Sequence, residues 1–259
     1  MENQAAEIRT YFDAEAIQYF RGRENEYSFV SQKSLALEML PRRARRILDA
    51  GCGPAVLAGD LLKRAREVWG IDVSEQMIAY GRARMEHHPL RHRCHLSVGD
   101  AQQMSHEEGF FDAVVSLGML EYLISYRPAL AEMYRVLRPG GCAVLSVPNR
   151  VSAYHLSRLA ADKVRSLLKR ALKRSPSGSE RFVTNRCVPS RLDRELEAVG
   201  FRKLEARYCN FIFYPLHELH RGASMALNRR LSSLADRPLG SWLGTQYVVK
   251  VVKPSPRRF

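Results

Sequence analysis

The sequence has no long hydrophobic run. No stretch approaches the roughly 18 consecutive apolar residues that a membrane-spanning helix needs. The first ten residues, MENQAAEIRT, carry acidic side chains where a secretion signal has an apolar segment. We therefore expect neither secretion nor a membrane span, and a cytoplasmic location. With 259 residues, 46% of them hydrophobic, the chain is long enough to bury the core of one α/β domain with additions.

Cysteine is sparse, and its spacing is irregular. The sequence has neither the close cysteine pairs of a metal site nor the framework of a small disulfide-stabilised domain. Such spacing is typical of reduced, buried thiols in a cytosolic protein. The five cysteines are Cys52, Cys94, Cys142, Cys187 and Cys209.

Acidic residues are scarce in the second part of the chain, and the net charge is +14. Residues 1–150 hold 19 basic and 19 acidic side chains, whereas residues 151–259 hold 22 basic and 8 acidic ones. A basic excess confined to one end of the chain indicates a negatively charged partner. The candidates are a phospholipid surface, a nucleic acid or an anionic substrate.

The hydrophobic pattern alternates between strand and helix after two initial helices, within residues 5–25 and 28–40, the second ended by Pro41. Strands at 45–50, 67–73, 94–100, 111–117 and 142–148 alternate with helices at 55–65, 74–85 and 127–137, and Ser74 is a candidate N-cap. Strands linked by such helices form right-handed parallel βαβ units. The pattern predicts an α/β fold with a doubly wound sheet that binds ligands at the carboxyl ends of its strands.

A basic amphipathic helix is predicted within residues 154–174. Its basic face holds Arg158, Arg165, Lys169 and Lys173, and its apolar face holds Leu156, Leu159, Ala160, Val164, Leu167, Leu168 and Leu172. A linker at 175–180, a helix at 189–200, a strand at 201–213, a helical segment at 216–235 and a strand at 245–253 follow. The predicted organisation is a helical cap (1–44), a ligand-binding core (45–150), a basic insertion (151–180) and a segment completing the sheet (181–259).

The turn after the first predicted strand, in ILDAGCGPA (residues 47–55), combines an acid with two glycines. Glycines let the backbone approach a ligand closely, and free N–H groups at a helix start attract an anion. The dinucleotide fingerprint G-x-G-x-x-G is incomplete, because Val56 stands at its third glycine and Pro54, expected to begin the next helix, removes a donor. The turn therefore favours a smaller, zwitterionic group over a pyrophosphate.

With this turn, the chain resembles the class I S-adenosylmethionine-dependent methyltransferases. The segments GIDVSEQMI, VGDAQQM, FDAVVSLGMLEYL and LRPGG follow in the family's order across residues 45–147. The resemblance implies a Rossmann-like, seven-stranded, mostly parallel sheet with S-adenosylmethionine as cofactor. It implies that Gly51 and Gly53 close around the methionine part and that Asp49 lies towards its ammonium. Asp72 would accept the ribose hydroxyls, and Asp100 the adenine amino group.

The first helix resembles one branch of this family. YFDAEAIQY matches the F-D-x-x-A-x-x-Y helix of methyltransferases related to ubiquinone and menaquinone biosynthesis (methyltransferase type 11), which implies that Tyr19 lies near the cofactor. An ordinary packing helix is the alternative. The predicted cofactor-binding residues are Tyr19, Asp49, Gly51, Cys52, Gly53, Asp72, Val73, Met77, Asp100, Ala101, Gln102 and Leu117.

Two residues depart from the family pattern. Ala55 replaces a glycine often found in the first motif, which is a mild change because alanine is small. Tyr122 stands where the family's common L-E-H has histidine. The loss of that histidine removes a ligand, so we predict no metal.

The acceptor is predicted to be an oxygen or, less readily, an activated carbon. The D/N-P-P-Y/F turn that the superfamily uses for nitrogen acceptors is absent after the fourth strand. His155, His217 and His220 are candidates for a general base, with a structural or solvated role as the alternative for each.

The leading hypothesis is an O-methyltransferase for a lipophilic or lipid-linked small molecule, such as a quinone-like compound, a glycolipid or a secondary metabolite. The basic helix would cover the substrate as a lid, or bind an anionic inner membrane surface through residues 151–175. An RNA methyltransferase is disfavoured, because the basic half has no recognisable RNA-binding module. A non-catalytic cofactor-binding protein is the third hypothesis, and the oligomeric state stays open.

Overall fold

Seven strands form one sheet in the computed structural model, which describes residues 2–22, 26–171, 188–214, 216–231 and 237–255. The strands are β1 (Ala44–Ala50), β2 (Ala65–Asp72), β3 (Cys94–Val98), β4 (Phe111–Leu117), β5 (Leu137–Pro148), β6 (Arg202–Cys209) and β7 (Gln246–Val252). The described helices are α1 (Glu2–Gly22), α2 (Tyr27–Met39), α3 (Ala58–Leu62), α4 (Glu75–Met85), α5 (Arg127–Val136), α6 (Ala153–Ala171), α7 (Pro189–Val199), α8 (Leu216–Leu219), α9 (Arg221–Leu231) and α10 (Pro238–Leu243).

The strand order is β3-β2-β1-β4-β5-β7-β6. The first five strands pair in parallel, whereas β7 runs antiparallel to both β5 and β6. This confirms the predicted seven-stranded, mostly parallel sheet. The chain leaves β1 towards β2 on one side and reaches β4 on the other, so the connections diverge at the carboxyl ends of β1 and β4. A crevice opens at such a switch point.

The central strands are buried on both faces, because helices cover the sheet on both sides. Ile47 and Leu48 of β1, Val114 and Val115 of β4 and Val144 of β5 have no accessible surface. The side chains of this core belong to two apolar clusters, which contain Leu48 and Ile47 respectively. No helix of the described chain segments is both long and apolar enough to cross a membrane.

Helix α1 packs on α4 beside the switch point. The Asp13 carboxylate accepts hydrogen bonds from the Ser74 hydroxyl at 2.5 Å and from the Gln76 N–H at 3.2 Å. Ser74 is the predicted N-cap of α4, and its hydroxyl oxygen accepts from the Met77 N–H at 3.1 Å. The aspartate of the F-D-x-x-A-x-x-Y pattern thus fixes the helical cap to the start of α4.

Several predicted boundaries are wrong: β2 begins at Ala65, inside the helix predicted to reach residue 65, and β5 begins at Leu137, five residues before its predicted start. Two further boundaries are wrong for backbone reasons. The helix predicted from residue 55 begins at Ala58, because Ala55 has φ +55°, which an α-helix does not allow, so Pro54 lies in the turn rather than at the helix start. The strand predicted to reach residue 213 ends at Cys209, because Asn210 has φ +62°. The late helical segment divides into α8 and α9, and α10 was not predicted.

The basic helix forms as α6, from Ala153 to Ala171. Its predicted end at 172–174, the linker at 175–180 and Cys187 lie outside the described residues. The side chains of residues 164–171 also lie outside them, so the predicted faces are described only as far as Lys163. The other four cysteines are free thiols.

Candidate functional site

A cleft opens at the carboxyl edge of the sheet, where β1 and β4 diverge. It encloses about 920 Å³ of empty space, counted to its open mouth. All twelve residues predicted to bind the cofactor, from Tyr19 to Leu117, line it. We call it the switch-point cleft. The ends of four parallel strands build its floor, and α1 forms one wall.

Both glycines of the turn after β1 have positive φ. Gly51 has φ +75° and Gly53 has φ +51°, a backbone region that favours glycine. A Cβ atom at Gly51 would lie 2.6 Å from the Cβ of Met119, in the turn after β4. The turns that follow β1 and β4 therefore approach each other more closely than a side chain at residue 51 allows.

Asp72 ties the end of β2 to the glycine turn. Its carboxylate accepts hydrogen bonds from the Gly53 N–H at 2.9 Å and from the Ser74 N–H at 3.0 Å. Burial raises the pKa of Asp72, and these two N–H donors oppose the rise. The carboxylate is held at the cleft wall with lone pairs left to accept hydroxyl groups.

Asp49, at the end of β1, is 3% exposed. Its carboxyl makes no hydrogen bond or ion pair to any residue that the structure describes. Burial raises the pKa of this carboxyl to about 8, and the negative charge of Asp72 adds to the rise. A buried, unpaired acid at a cleft wall costs free energy when it ionises. It therefore fits a cationic ligand group such as the ammonium of S-adenosylmethionine.

Asp100 follows β3 and shapes a tight turn at the far end of the cleft. Its carboxylate accepts from the Gln102 N–H at 2.8 Å. The preceding Gly99 N–H donates to the Asp72 carbonyl oxygen at 2.9 Å, which holds this turn beside β2. Ala101, the next residue, is buried. The Asp100 carboxylate keeps lone pairs that can accept a hydrogen bond from an adenine amino group.

An aromatic cluster closes the side of the cleft formed by α1. The ring of Phe12 lies 4.8 Å from that of Tyr122 and 5.6 Å from that of Tyr19, edge to face in both cases. The two tyrosine hydroxyls lie 3.2 Å apart and share a hydrogen bond. This wall is apolar apart from that pair of hydroxyls.

Twelve further residues line the cleft, and the sequence analysis did not select them. Two of them could have been found from the sequence. Phe12 belongs to the same helix pattern as Tyr19, and Tyr122 departs from the family's L-E-H pattern. The other residues are mostly apolar or glycine, and nothing in their spacing separates them from core positions. The twelve are Ile8, Phe12, Phe29, Pro54, Val56, Leu57, Ile71, Gly99, Gly118, Met119, Tyr122 and Leu123.

The three candidate histidines lie elsewhere: none of them lines the switch-point cleft. Burial, with Arg150 and Arg158 nearby, lowers the pKa of His155 to about 4. The Nδ1 atom of His217 lies 3.3 Å from the Ser224 hydroxyl. The rings of His155 and His217 both lie near Tyr154, and His220 is exposed. A general-base role for any of them stays a prediction.

The chain is similar to known methyltransferases. Residues 47–141 match the family model described as a methyltransferase domain. A probable S-adenosylmethionine-dependent methyltransferase of Mycolicibacterium smegmatis is 30% identical over 57% of this chain and 60% of its own length. A ubiquinone biosynthesis O-methyltransferase of Alkalilimnicola ehrlichii is 32% identical over 58% of both chains. A ubiquinone/menaquinone biosynthesis C-methyltransferase of Dinoroseobacter shibae is 40% identical over 40% of this chain and 42% of its own.

The aligned part spans about three fifths or less of these relatives. Solved structures share the fold over more of the chain. An S-adenosylmethionine-dependent methyltransferase of Thermotoga maritima aligns over 95% of this chain and 99% of its own, with a TM-score of 0.60 and 17% identity. Another, of Mesorhizobium loti, aligns over 86% and 98%, with a TM-score of 0.57 and 18% identity. At such identities the likeness concerns the fold alone.

Proposed function

We propose that the chain is an S-adenosylmethionine-dependent methyltransferase that methylates an oxygen atom of a lipophilic small molecule, which the match of residues 47–141 to a methyltransferase domain supports. The observation that carries the cofactor part is the buried, unpaired carboxyl of Asp49 at the wall of the switch-point cleft. S-adenosylmethionine supplies, when bound, a methyl group on a sulfonium, which is a strong electrophile. The protein's own task is then to hold both partners in line.

The residues of the cleft divide this task. Asp49 in its ionised form would hold the ammonium group, and the glycine turn would hold the carboxylate beside it. Asp72 would accept the ribose hydroxyls, since Gly53 and Ser74 already orient its carboxylate. Asp100 would accept from the adenine amino group.

The support for a lipophilic acceptor comes from the apolar part of the cleft lining. Phe12, Phe29 and Leu123 are apolar, and the Phe12 ring lies against the rings of Tyr19 and Tyr122, whose hydroxyls share a hydrogen bond. An apolar wall with one or two hydrogen-bonding groups is typical of sites for aromatic or lipid-like ligands. Relatives that methylate oxygen and carbon both match this chain, so C-methylation is the alternative reaction.

Labelled cofactor tests this proposal directly. Incubation of the protein with methyl-labelled S-adenosylmethionine and fractionated lysate should place the label in the organic extract, in a base-stable product of O-methylation. Asp49→Asn should reduce incorporation in proportion to its loss of cofactor affinity. Asp112→Asn, at the opposite edge of the sheet, should not.

Label found chiefly in RNA would refute the lipophilic acceptor and support RNA methylation instead. No incorporation in any fraction, by a protein that binds the cofactor, would favour the non-catalytic alternative.

We further propose that α6 and α10 together rest on an anionic membrane. The two helices contact each other. Leu156 and Leu159 of α6 are each 48% exposed, and Leu239 and Trp242 of α10 are 50% and 55% exposed. We call these four residues the α6–α10 face. Lys163, one turn beyond Leu159, and Arg237, just before α10, are exposed basic residues beside it. Exposed leucines and a tryptophan bordered by cations are typical of an interfacial membrane contact.

Vesicle binding should depend on this face. The protein is expected to sediment with vesicles containing phosphatidylglycerol and to stay in solution with phosphatidylcholine alone. The double variant Leu159→Ser, Trp242→Ser should weaken binding by about tenfold or more, because full burial of one large apolar side chain contributes about 1.5–3 kcal/mol. Leu204→Ser, equally exposed on the edge strand β6, is the matched control. Equal binding by all three proteins would contradict the proposal.

A further inference from the structure

A second concave surface lies at the opposite edge of the sheet, where β1 and β2 begin. Four parts of the chain form it: residues 42–45, residues 62–66, Arg93 just before β3 and Asp112 of β4. It encloses about 1180 Å³ of empty space, including the solvent at its open mouth. We call it the arginine cleft. It is separate from the switch-point cleft, which lies at the carboxyl ends of the same strands.

Basic side chains dominate this cleft, and most of them have no acidic partner. Within the described residues, five arginines that line it make no ion pair: Arg42, Arg43, Arg45, Arg64 and Arg66. Lys63 does form one, with Asp60 at 2.8 Å. The Arg93 guanidinium donates to the main-chain oxygens of Ala65 and Arg66, and it forms no ion pair with a carboxylate of the described chain segments.

Among the described residues that line the cleft, the one acid is Asp112, and its carboxylate already has partners. The Asp112 carboxylate forms an ion pair with Arg138 at 2.6 Å and accepts from the main-chain N–H groups of Arg45 and Arg46. Although burial acts the other way, these bonds hold the pKa of Asp112 below its usual value. Because its carboxylate already bonds to Arg138 and to the backbone at the start of β1, Asp112 neutralises little of the charge of the other arginine side chains.

Like charges held close together repel, and this repulsion opposes folding unless an anion relieves it. Guanidinium groups match phosphate oxygens in a two-bonded geometry, and several of them around one concavity can each take a different oxygen. As far as the chain is described, the residues lining the cleft include no aromatic side chain on which a nucleobase could stack, and no exposed leucine or tryptophan that could enter a bilayer. The chemistry of the cleft is thus that of a phosphate site without a base or lipid contact.

We propose that the arginine cleft binds an oligophosphate, an anion with two or more linked phosphate groups. This site is independent of the proposed methylation and of the α6–α10 face. Its arginines lie within residues 1–150, in which basic and acidic side chains are equal in number.

Sodium tripolyphosphate is the probe for a calorimetric test, in buffers matched for ionic strength with sodium chloride. Wild-type protein should bind it saturably, with one molecule per chain. The double variant Arg42→Ser, Arg66→Ser should bind about tenfold more weakly or worse, since two charge-assisted contacts are lost. The matched control is Arg202→Ser, Arg230→Ser, which removes the same charge from exposed positions elsewhere and should bind as the wild type does.

Cofactor affinity, measured on the same samples, should be equal in all three proteins, and this verifies folding. Failure of the oligophosphate site is therefore distinguishable from failure of the methyltransferase proposal. An absence of saturable binding in wild type, or equal weakening in both double variants, would overturn the inference. So would duplex RNA that binds in the cleft and is not displaced by tripolyphosphate, which would make the surface a nucleic-acid contact.

Discussion

Binding of S-adenosylmethionine at about pH 6 should release close to one proton per molecule bound, and the release should disappear as the pH rises past about 8. The proton comes from Asp49, whose pKa burial raises to about 8 in the free protein. Beside a bound ammonium group the same carboxyl ionises. Calorimetry in two buffers with different ionisation enthalpies measures this proton release directly.

Cofactor affinity should follow the same titration. It should rise by up to about tenfold per pH unit towards pH 8. Above this it should fall again, because an α-amino group itself loses its proton at about pH 7.7–8.0. Asp49→Asn should abolish the proton release and weaken binding by about tenfold to a hundredfold, the loss of a hydrogen bond to a charged group. A variant that still released a proton would show that the acid is another residue.

The stability of the cofactor-free protein supplies the control. A carboxyl whose pKa is higher in the folded state than in the unfolded state stabilises the fold at low pH, and the contribution is lost as the pH rises towards about 8. Cofactor-free Asp49→Asn should therefore melt at a higher temperature than wild type at about pH 9. Asp112→Asn should show the opposite sign, because the lowered pKa of Asp112 stabilises the fold above its unfolded-state pKa. Equal melting shifts for both variants would contradict this account.

Gly51→Ala should be more damaging than the same change at Gly53, the other glycine of the turn. The new Cβ would meet Met119 at 2.6 Å, and residue 51 would keep φ +75°. Backbone strain in this region costs about 1–2 kcal/mol, and overpacking adds about 1–3 kcal/mol. The expected result is a clear loss of melting temperature and a cofactor affinity lowered by at least about tenfold.

Gly53→Ala is the matched comparison. Gly53 also has positive φ, but a Cβ there would not meet Met119. Its nearest neighbour would be the sulfur of Met77, at 4.0 Å. This variant should show the backbone strain alone and lose less stability. Urea unfolding of both variants and cofactor titrations separate the two effects. Similar losses at both positions would show that the close approach to Met119 is unimportant.

The position of three aspartates in the switch-point cleft was predictable from the sequence, through the family resemblance and because strand ends meet at one edge of the sheet. Asp49, Asp72 and Asp100 each follow a predicted strand, and neighbouring parallel strands end at the same edge of a sheet. Once the strands were recognised, these acids had to lie together. The charge state of Asp49 was not predictable, because it depends on burial that only the packed structure reveals.

Local backbone conformation was less predictable. Ala55 stands in a helix-like pattern, yet its positive φ delays α3 by three residues. The six-residue α10 has too short a pattern to distinguish it from a loop, and Trp242 was therefore not recognised as part of an exposed face. Apolar cleft residues such as Phe29 and Leu123 look like core positions in the sequence, because the same side chains serve both purposes.

The sequence by itself determined the mostly parallel, doubly wound sheet and the residues at its strand ends, because periodic burial marks the strands and parallel strands end at one edge of a sheet. Tertiary structure alone decided what lies far apart in the chain but close in space. Residues 42–45, 63–66 and Arg93 are spread through a segment of zero net charge, and only the parallel pairing of β1 with β2 and of β2 with β3 gathers them into one cleft. The net charge of a segment does not show which charged side chains lie close together in space.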